Sequence, residues 1–396
     1  MKVLIINVVC GIRSTGRICT DLAEALEKAG HEVRIAYGRE NVPSRYEKYA
    51  IRIGSDTDVR NHGVKARLSD ACGFGSRKAT EKFIDWVKTY NPDVIHLHNL
   101  HGYYINIEVL FDYLRTCKKR IVWTLHDCWA FTGHAAYCDY ANCSKWKTGC
   151  SQCPNRKEYP ASFRDCSNRN WVKKKVILTG IPNLTIITPS EWLASLVRES
   201  FLSQYPVAVI PNGVDTSVFK PLAGNAKERL GIGEKKIVLG VAALWEKRKG
   251  MDDFLRLVTM LNKDFRIVLV GLSAKQKELL PEDIVGIERT DSAGELAEIY
   301  AAADYYVNPT YEDNYPTTNL EAIACGTPVI TYDTGGSAES ALLYGTKVKK
   351  GDIEAIAALI NGDGPELKAD PASCREAVDY KTMVKKYLDL YKQAES

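Results

Sequence analysis

The sequence predicts an α/β protein built from two doubly wound, Rossmann-like domains. With 396 residues, the chain is long for a single hydrophobic core. Short strands rich in valine and isoleucine alternate with amphipathic helical segments, which is the pattern of successive βαβ units. The alternation begins at the first residues and restarts at Val207, so we expect the two domains to join between Ser203 and Val207.

The first βαβ unit consists of an apolar strand at Val3–Val9, a helix around Arg17–Ala29 and a second strand at His31–Ala36. Gly30 stands where a left-handed residue ends a helix. Further strands are predicted at Asp93–Leu97, Ile121–Leu125, Leu184–Ile187, Val207–Ile210, Ile237–Val241, Arg266–Val270, Tyr305–Val307 and Pro328–Thr331.

Composition excludes several classes of protein. The net charge of +4 is too small to indicate a nucleic-acid-binding protein. No apolar run approaches the roughly 20 residues of a membrane span, and Met1–Ile6 is too short for a signal peptide. We therefore expect a cytoplasmic protein.

Basic residues are nevertheless clustered in the first half, at Lys118–Arg120, Arg156–Lys157, Arg169 and Lys173–Lys175. Such runs often form a solvated face that keeps a protein soluble. Trp171 and Ile177 flank the lysine triplet, and basic with aromatic residues favours an anionic membrane surface. We expect peripheral contact with the inner face of the cytoplasmic membrane.

The most informative segment is Asp313–Ile330, where two carboxylates surround a threonine-rich turn that opens a helix near Pro316–Thr318. The N–H groups and the positive dipole of a helix start can receive a phosphate. Carboxylates accept hydrogen bonds from sugar and ribose hydroxyls. The pattern indicates a nucleotide-sugar site, although alone it also fits an ordinary helix start.

Other segments occur in the order expected of one enzyme family: Thr124–Asp127, Ile210–Phe219, Gly240–Gly250 and Tyr332–Glu339. Together with the threonine-rich turn, they resemble the retaining GT-B glycosyltransferases of the group 1, or family 4, type over nearly the whole chain. Glu312–Asn319 looks like the donor loop of the branch that builds bacterial capsular polysaccharide and exopolysaccharide.

The resemblance implies an acceptor-side domain at residues 1–205, with a cysteine-rich insertion at 128–170, and a nucleotide-sugar domain at 206–379, facing each other across a cleft. It also implies that a C-terminal helix at 380–396 packs back on the first domain. The helical spacing of Tyr380, Met383, Tyr387 and Tyr391 alone fits a helix that caps the second domain nearly as well.

By resemblance, Lys249 holds the diphosphate of the donor. An arginine that is common in this loop of the family is missing from Gly240–Ala243, and we assign its role at the diphosphate to Arg248. These catalytic assignments include Asp313, which meets hydroxyls of the transferred sugar where the family usually has glutamate; the adjacent Glu312 is the alternative acid. In these enzymes the leaving phosphate is thought to take the acceptor proton, so we name no protein base.

The resemblance gives the other donor-binding residues as well. Glu321 binds the ribose hydroxyls, although alone it would be read as a solvated helix acid. Thr317 and Thr318 offer N–H and O–H groups to the distal phosphate, and Asn314 belongs to the same loop.

In the first half, Gly16 is expected in the loop between the first strand and helix, beside the leaving phosphate. The resemblance places His126, as a catalytic residue, near the donor sugar. His96 and His98 are expected to line the acceptor site or to be structural. Asp56 and Asp58 have the Asp-x-Asp form with which another glycosyltransferase fold, GT-A, binds manganese. We discount this motif because no GT-A sheet surrounds it. We therefore expect no catalytic metal.

Four of the twelve cysteines lie together at Cys138, Cys143, Cys150 and Cys153. Four thiolates at such spacing suit a structural zinc ion. Free thiols and disulfides are the alternatives, and His134 could replace one ligand. We expect zinc to hold an insertion over the acceptor cleft and to take no part in the chemistry.

These observations predict a retaining glycosyltransferase that moves a hexose from a UDP- or GDP-linked donor to a lipid-linked glycan or polysaccharide. One alternative is a nucleotide-sugar epimerase of the same architecture, which would release a free sugar. Another is a zinc-stabilised binding protein without turnover. The sequence leaves open which nucleotide, sugar, acceptor and linkage are used, and the oligomeric state.

Overall fold

The structure, a computed structural model, describes residues 1–367 and 369–392. The chain forms two compact units, one containing Met1–Pro211 and the chain from Val384, and the other containing Asn212–Met383. Every strand pair in both sheets is parallel, as expected of strands joined by helical crossovers. The predicted fold class is therefore confirmed.

The first unit has a seven-stranded sheet. Its strands are β1 (Lys2–Ile6), β2 (Glu32–Tyr37), β3 (Ala50–Arg52), β4 (Val94–Leu97), β5 (Arg120–Thr124), β6 (Leu184–Thr188) and β7 (Val207–Val209). Its helices are α1 (Arg13–Lys28), α2 (Asp56–Ser69), α3 (Arg77–Tyr90), α4 (Ile107–Thr116), α5 (Ser167–Leu178) and α6 (Glu191–Glu199), with short 3-10 segments at Ser44–Tyr49 and Lys145–Lys147. The strand order is β3-β2-β1-β4-β5-β6-β7, so the winding reverses between β1 and β4.

Strand β7 belongs to the first sheet, whereas the sequence analysis placed it in the second domain. It pairs in parallel with β6, with Val207 opposite Ile186. The division between the units accordingly falls after Pro211. A three-residue strand shows no periodicity that would reveal which sheet it joins.

The second unit has a six-stranded sheet. Its strands are β8 (Lys236–Val241), β9 (Phe265–Val270), β10 (Ile284–Ile287), β11 (Tyr305–Asn308), β12 (Val329–Tyr332) and β13 (Gly345–Val348). Its helices are α7 (Ala226–Arg229), α8 (Met251–Leu257), α9 (Ala274–Glu278), α10 (Ala293–Ala302), α11 (Thr317–Ala324), α12 (Ser337–Ala341), α13 (Ile353–Asn361) and α14 (Pro371–Ala377), with a 3-10 turn at Lys247–Lys249. The strand order is β10-β9-β8-β11-β12-β13.

The second sheet is covered by apolar clusters on both faces, which is why its central strands are mostly hydrophobic. Ile237 and Leu239 of β8 belong to one hydrophobic cluster, and the intervening Val238 belongs to another. Successive strand residues point to opposite faces, so the two clusters lie on the two sides of the sheet.

The last helix, α15 (Tyr380–Lys392), passes from one unit to the other. At its start the Tyr380 N–H donates to the Val214 carbonyl oxygen, at 2.9 Å, within the second unit. Near its end, Tyr387 and Tyr391 are fully buried, and their hydroxyls bond to Thr124 and His96 of the first unit. The prediction that this helix returns to the first domain is confirmed.

Candidate active site

The predicted donor residues lie where the winding of the second sheet reverses. Strands β8 and β11 are neighbours, but the chain continues from β8 toward one edge and from β11 toward the other. Open parallel sheets bind ligands at this point, outside the carboxyl ends of the strands. The loop after β8 carries Arg248 and Lys249, and the loop after β11 carries Asp313.

Lys249 and Asp313 form an ion pair that joins these two loops. The Lys249 Nζ donates a hydrogen bond to Asp313 Oδ2, and the two side chains are only 22% and 14% exposed. The other carboxylate oxygen, Oδ1, accepts from the Asn314 N–H at 2.9 Å. An ammonium group and a carboxylate from two different loops are thus held side by side.

Arg248 fastens the same loops together. Its carbonyl oxygen accepts hydrogen bonds from the Tyr311 N–H at 2.8 Å and from the Thr310 hydroxyl at 3.2 Å. Its guanidinium donates to Glu246 Oε2 at 3.0 Å and to the Glu312 carbonyl oxygen at 3.4 Å. The guanidinium is therefore positioned beside the donor loop.

Gly335, after β12, allows a third loop to approach the donor loop closely. A Cβ atom at Gly335 would lie 2.0 Å from the Asp313 carbonyl oxygen, and the glycine has a φ of +51°. The next N–H, of Gly336, donates to that same oxygen at 3.2 Å. Any larger side chain at Gly335 would push the donor loop away.

Helix α11 begins at Thr317, as predicted, with Pro316 as its N-cap residue. Among the described residues no side chain caps this end. The first N–H groups of a helix have no partner within it and carry partial positive charge, so they suit a phosphate. Thr317 and Thr318 are partly exposed and add hydroxyl groups there.

Glu321 is buried on α11, which rules out its interpretation as a solvated helix acid. The residue is 4% exposed. The Tyr300 hydroxyl donates to its Oε2 at 3.2 Å, and burial raises the pKa of Tyr300 well above its usual value, so the phenol remains a donor. A buried carboxylate is costly unless it accepts several hydrogen bonds, which ribose hydroxyls can supply.

The two candidate acids of the donor loop differ in exposure. Glu312 is 4% exposed, and the neighbouring Asn314 is equally buried, at 3%. The Asp313 side chain is more accessible and is paired with Lys249. This geometry favours Asp313 over Glu312 as the acid that meets a sugar hydroxyl.

Asn319, which the sequence analysis did not identify, anchors the start of α11. Its side chain is fully buried. The Nδ2 group donates to Ser340 Oγ at 2.9 Å and to the Ser337 carbonyl oxygen at 3.2 Å, while its Oδ1 accepts from Asn308 Nδ2 at 2.8 Å. These bonds tie the helix to β11 and α12. In the sequence, Asn319 follows two threonines at the start of the helix, so nothing marks it as a buried anchor.

In the first unit, three histidines lie together at the ends of β4 and β5. His98 Nδ1 is 2.9 Å from His126 Nε2, and the two rings are stacked with an interplanar angle of 14°. His96 packs against His98, with ring centroids 4.1 Å apart. His96 and His98 are buried, and His126 is partly exposed. His126 is therefore the most exposed member of this cluster.

Burial keeps these rings neutral, because desolvation disfavours the imidazolium. It lowers the pKa of His126 to about 4 and that of His96 to about 3, and it lowers the pKa of His98 well below its usual range. Both ring nitrogens of His96 are engaged in hydrogen bonds, with Thr124 Oγ1 and the Tyr391 hydroxyl, which fits the expectation of a structural histidine.

A second network beside His126 was not predicted. His101 Nε2 is 2.8 Å from Asp127 Oδ2, and its Nδ1 is 2.9 Å from the Tyr159 hydroxyl. Asp127 also accepts from the Trp129 N–H at 2.9 Å. Since Asp127 directly follows His126, this network fixes the backbone that carries the histidine.

Gly16 lies in the first turn of α1, not in the preceding loop where it was expected, because the helix begins at Arg13. Gly16 is buried, and a Cβ atom there would lie 3.1 Å from Val9 Cγ2 and 3.2 Å from the Gly11 nitrogen. Its carbonyl oxygen accepts from the Gly11 N–H at 3.1 Å. The glycine lets the preceding loop close tightly on the helix.

The discounted pair of acids begins a helix. Ser55 caps α2, and its hydroxyl accepts from the Asp58 N–H in a reciprocal capping box, while Asp56 is paired with Arg52. Both carboxylates therefore have local partners typical of a helix N-terminus.

The four clustered cysteines line one cavity of about 20 Å³, together with His134. Gly133 donates its N–H to Cys150 Sγ at 3.2 Å. All twelve cysteines, each within the described residues, are free thiols. However, among residues 1–367 and 369–392 no three histidine, cysteine or acidic side chains are grouped so that they could hold a metal ion. The structure therefore gives the predicted zinc site no ready ligand set.

The prediction that Trp171 and the lysine triplet contact a membrane is wrong for Trp171 and Lys174, because both side chains are buried. Trp171 is buried, and its Nε1 donates to the Trp146 carbonyl oxygen at 2.9 Å. Lys174 is 1% exposed and donates to the carbonyl oxygens of Trp129 and Thr132, at 2.7 Å and 3.1 Å. Within the described residues, no helix has both the length and the hydropathy to cross a membrane.

Comparison with known proteins decides the family. The model of Glycosyltransferase Family 4 matches residues 15–218, which is more than half of the chain. The chain belongs to this glycosyltransferase family. A second model, described as Glycosyl transferases group 1, matches residues 235–362 of this family 4 chain.

Among its curated relatives is WcaC of Escherichia coli K12, named as a colanic acid biosynthesis glycosyl transferase. It is 26% identical over 382 residues, covering 93% of the family 4 chain and 91% of WcaC. A second relative, from Campylobacter jejuni, is named as an N,N'-diacetylbacillosaminyl-diphospho-undecaprenol N-acetylgalactosaminyltransferase. It is 26% identical over 217 residues, covering 50% of this chain and 57% of the relative.

The fold has close counterparts among solved structures. HepE of Anabaena, crystallised with UDP, superposes with a TM-score of 0.69 at 13% identity, covering 99% of the family 4 chain and 100% of HepE. At that identity the likeness supports the fold alone.

Proposed function

We propose that this glycosyltransferase moves a hexose from a UDP- or GDP-linked donor to a lipid-linked glycan or polysaccharide, with retention of anomeric configuration. The observation that carries the proposal is the gathering of Lys249, Asp313 and the start of α11 at the reversal point of the second sheet. A nucleoside diphosphate sugar needs cations, helix N–H groups and hydroxyl acceptors together.

The position of each residue supports one role in this proposal. Lys249 and Arg248 neutralise the diphosphate, and Thr317 and Thr318 bond to its distal phosphate at the start of α11. Glu321 lies one helical turn further along, where its buried carboxylate accepts hydrogen bonds from the ribose hydroxyls.

Asp313 has two successive partners in this proposal. Before the donor binds, its carboxylate pairs with Lys249. When the diphosphate arrives, the ammonium group turns to the phosphate, and the carboxylate accepts a hydrogen bond from the transferred sugar. The ion pair therefore keeps the Lys249 ammonium group near the phosphate position before binding.

Retention places the acceptor hydroxyl on the same face of the sugar as the leaving phosphate. The phosphate oxygen takes the acceptor proton as the new bond forms, while Arg248 and Lys249 stabilise the charge that develops on it. His126, neutral and partly exposed, hydrogen-bonds to the donor sugar.

The names of two relatives support the choice of acceptor. WcaC is named for colanic acid biosynthesis, and the Campylobacter jejuni relative is named for transfer to a sugar carried on undecaprenol diphosphate. Both names agree with cell-surface polysaccharide biosynthesis. An anionic membrane that holds such a lipid would meet the outer face of α5, where Val172 and Val176 are 50% and 68% exposed beside Lys173 and Lys175.

The test is a transfer assay with UDP-glucose, UDP-galactose, UDP-N-acetylglucosamine and GDP-mannose, each offered with an undecaprenol-diphosphate-linked sugar. We expect one donor to give product and free nucleoside diphosphate, and the proton NMR spectrum of the product to show the anomeric configuration of the donor. Free sugar formed without acceptor would indicate the epimerase. Nucleotide binding without product from any acceptor would favour a binding protein, and an inverted product would overturn retention.

A further inference from the structure

The His98 side chain is buried, and one of its two ring nitrogens makes no hydrogen bond with the described residues. His98 is 1% exposed. Its Nδ1 contacts His126 Nε2 at 2.9 Å, but its Nε2 has no hydrogen-bond partner among the described residues. By contrast, His96 beside it uses both nitrogens, with Thr124 Oγ1 at 2.8 Å and the Tyr391 hydroxyl at 2.5 Å.

The contact between the two histidines contains one proton, and two arrangements can supply it. Both rings are neutral because burial lowers the pKa of each. Either His98 donates from Nδ1 to a bare Nε2 of His126, or His126 donates from Nε2 to a bare Nδ1 of His98. A neutral imidazole has one N–H, so each arrangement also fixes the other nitrogen of both rings.

The unpartnered His98 Nε2 decides between these arrangements. If His126 were the donor, the only N–H of His98 would lie on Nε2, as a buried donor without an acceptor. If His98 is the donor, its Nε2 is a bare acceptor nitrogen instead. Orphaned buried N–H groups are rarer in proteins than under-satisfied acceptors.

We propose that His98 is a positioning residue for His126, donating its Nδ1–H to His126 Nε2 and so holding the proton of His126 on Nδ1. His126 then has one N–H, on the nitrogen that faces away from His98. The stacking of the two rings, with centroids 5.2 Å apart, keeps that orientation. The catalytic consequence rests on the proposed function, in which His126 bonds to the donor sugar.

Nitrogen-15 NMR of the histidine side chains tests the tautomer directly in the full-length protein, whose seven histidines give few signals. The His126 signals are assigned by their loss in His126→Gln. We expect the pattern of a ring protonated on Nδ1 in the wild type. A ring protonated on Nε2, or a charged ring at neutral pH, would overturn the proposal. This readout does not depend on any transfer activity.

Variants of His98 test its effect on catalysis. An asparagine can place its amide N–H near the position of Nδ1, whereas leucine has no donor. We expect His98→Leu to lower kcat roughly tenfold or more with little change in KM for the donor, and His98→Asn to recover much of the loss. In a His126→Ala background, His98→Leu should cost nothing further. Equal losses in the asparagine and leucine variants, or additive losses in the double variant, would contradict a positioning role.

His62→Leu is the matched control. His62 is also a buried histidine, 2% exposed, but it bonds to the backbone N–H groups of Gly73 and Gly75 instead of to His126. Its loss should leave the His126 signals unchanged. If the wild type transfers no sugar from any donor, the proposed function fails, while the NMR result still decides the tautomer.

Discussion

The Tyr391 hydroxyl lies 2.5 Å from His96 Nδ1, which links the last helix to the centre of the first sheet. The bond continues through His96 Nε2 to Thr124 Oγ1, and from Thr124 to the Tyr387 hydroxyl at 2.9 Å. Both tyrosines lie on α15, so this helix closes a hydrogen-bond network at the carboxyl ends of β4 and β5.

Tyr391→Phe should destabilise the first unit. Removing the hydroxyl leaves the buried His96 Nδ1 without its partner, at a cost of about 1–3 kcal/mol. Urea unfolding followed by circular dichroism measures the change. Tyr140→Phe is the control, because that side chain is 48% exposed and should change stability by less than about 0.5 kcal/mol. Equal effects in the two variants would show that the network contributes nothing.

Stability should fall as the pH drops below about 6.5, before carboxylates titrate. Burial lowers the folded pKa of His96 to about 3 and that of His126 to about 4, from 6.5. Below about pH 6.5 the unfolded chain takes up these protons and the folded chain does not, so each ring lowers the free energy of unfolding by up to about 1.4 kcal/mol per pH unit. Urea unfolding between about pH 7 and pH 5 measures the slope. A flat profile would show that the rings are charged in the fold.

Glu321→Ala should weaken binding of the nucleotide by about 1–3 kcal/mol, because it removes the acceptor of the ribose hydroxyls. Isothermal titration calorimetry with UDP and GDP measures the loss. Glu282→Ala is a control on the exposed surface of the same unit. Unchanged affinity in Glu321→Ala would remove the ribose role.

Asp313→Asn should separate nucleotide binding from sugar transfer. Without the carboxylate, Lys249 has no competing anion, and affinity for the bare nucleoside diphosphate should rise roughly three- to tenfold. Transfer should fall, since the sugar hydroxyl loses its anionic acceptor. Calorimetry and the transfer assay measure the two effects. Weaker binding of the diphosphate in Asp313→Asn would contradict the proposed exchange of partners.

Lys249→Ala provides the complementary case. It should weaken binding of nucleoside diphosphate and nucleotide sugar alike, because it removes a cation from the phosphate site. The affinity for the nucleoside without phosphates should stay the same, which serves as the internal control. A loss shared by all three ligands would point to a distorted loop.

EDTA should leave nucleotide binding and transfer unchanged, because Arg248, Lys249 and the start of α11 supply the positive charge that the diphosphate needs. Calorimetry and the transfer assay with and without EDTA measure this. Activity that is lost in EDTA and restored by magnesium or manganese would contradict this account of the site.

The central strands could be predicted from the sequence, whereas three of the four edge strands, β3, β10 and β13, could not. Central strands such as β8, which is apolar from Ile237 onward, lie between apolar clusters on both faces of the sheet. Strands β3, β10 and β13 lie at sheet edges and are largely half-exposed. Strands β3 and β13 each include a charged residue, and the apolar run of β10 is only four residues long and contains Gly286. Their pairing depends on the neighbouring strand.

The segments that carry the candidate donor residues could be located from the sequence, because they follow strands and open a helix within short stretches. The partners of those residues could not. Lys249 and Asp313 are far apart in sequence, and their pairing depends on β8 and β11 being neighbours. The burial of Lys174 and Trp171 was missed for a related reason, since the triplet reads as a surface run until α5 packs against the chain around Trp129 and Trp146.

The path of α15 also has a consequence for synthesis of the protein on the ribosome. The first unit receives Tyr387 and Tyr391 only after the whole of Asn212–Met383 has been translated. At roughly 5–20 residues per second, this takes roughly ten to thirty seconds. During that interval the nascent first unit holds His96 without its tyrosine partner, so its native core is completed only after the sheet that follows it in the chain has been made.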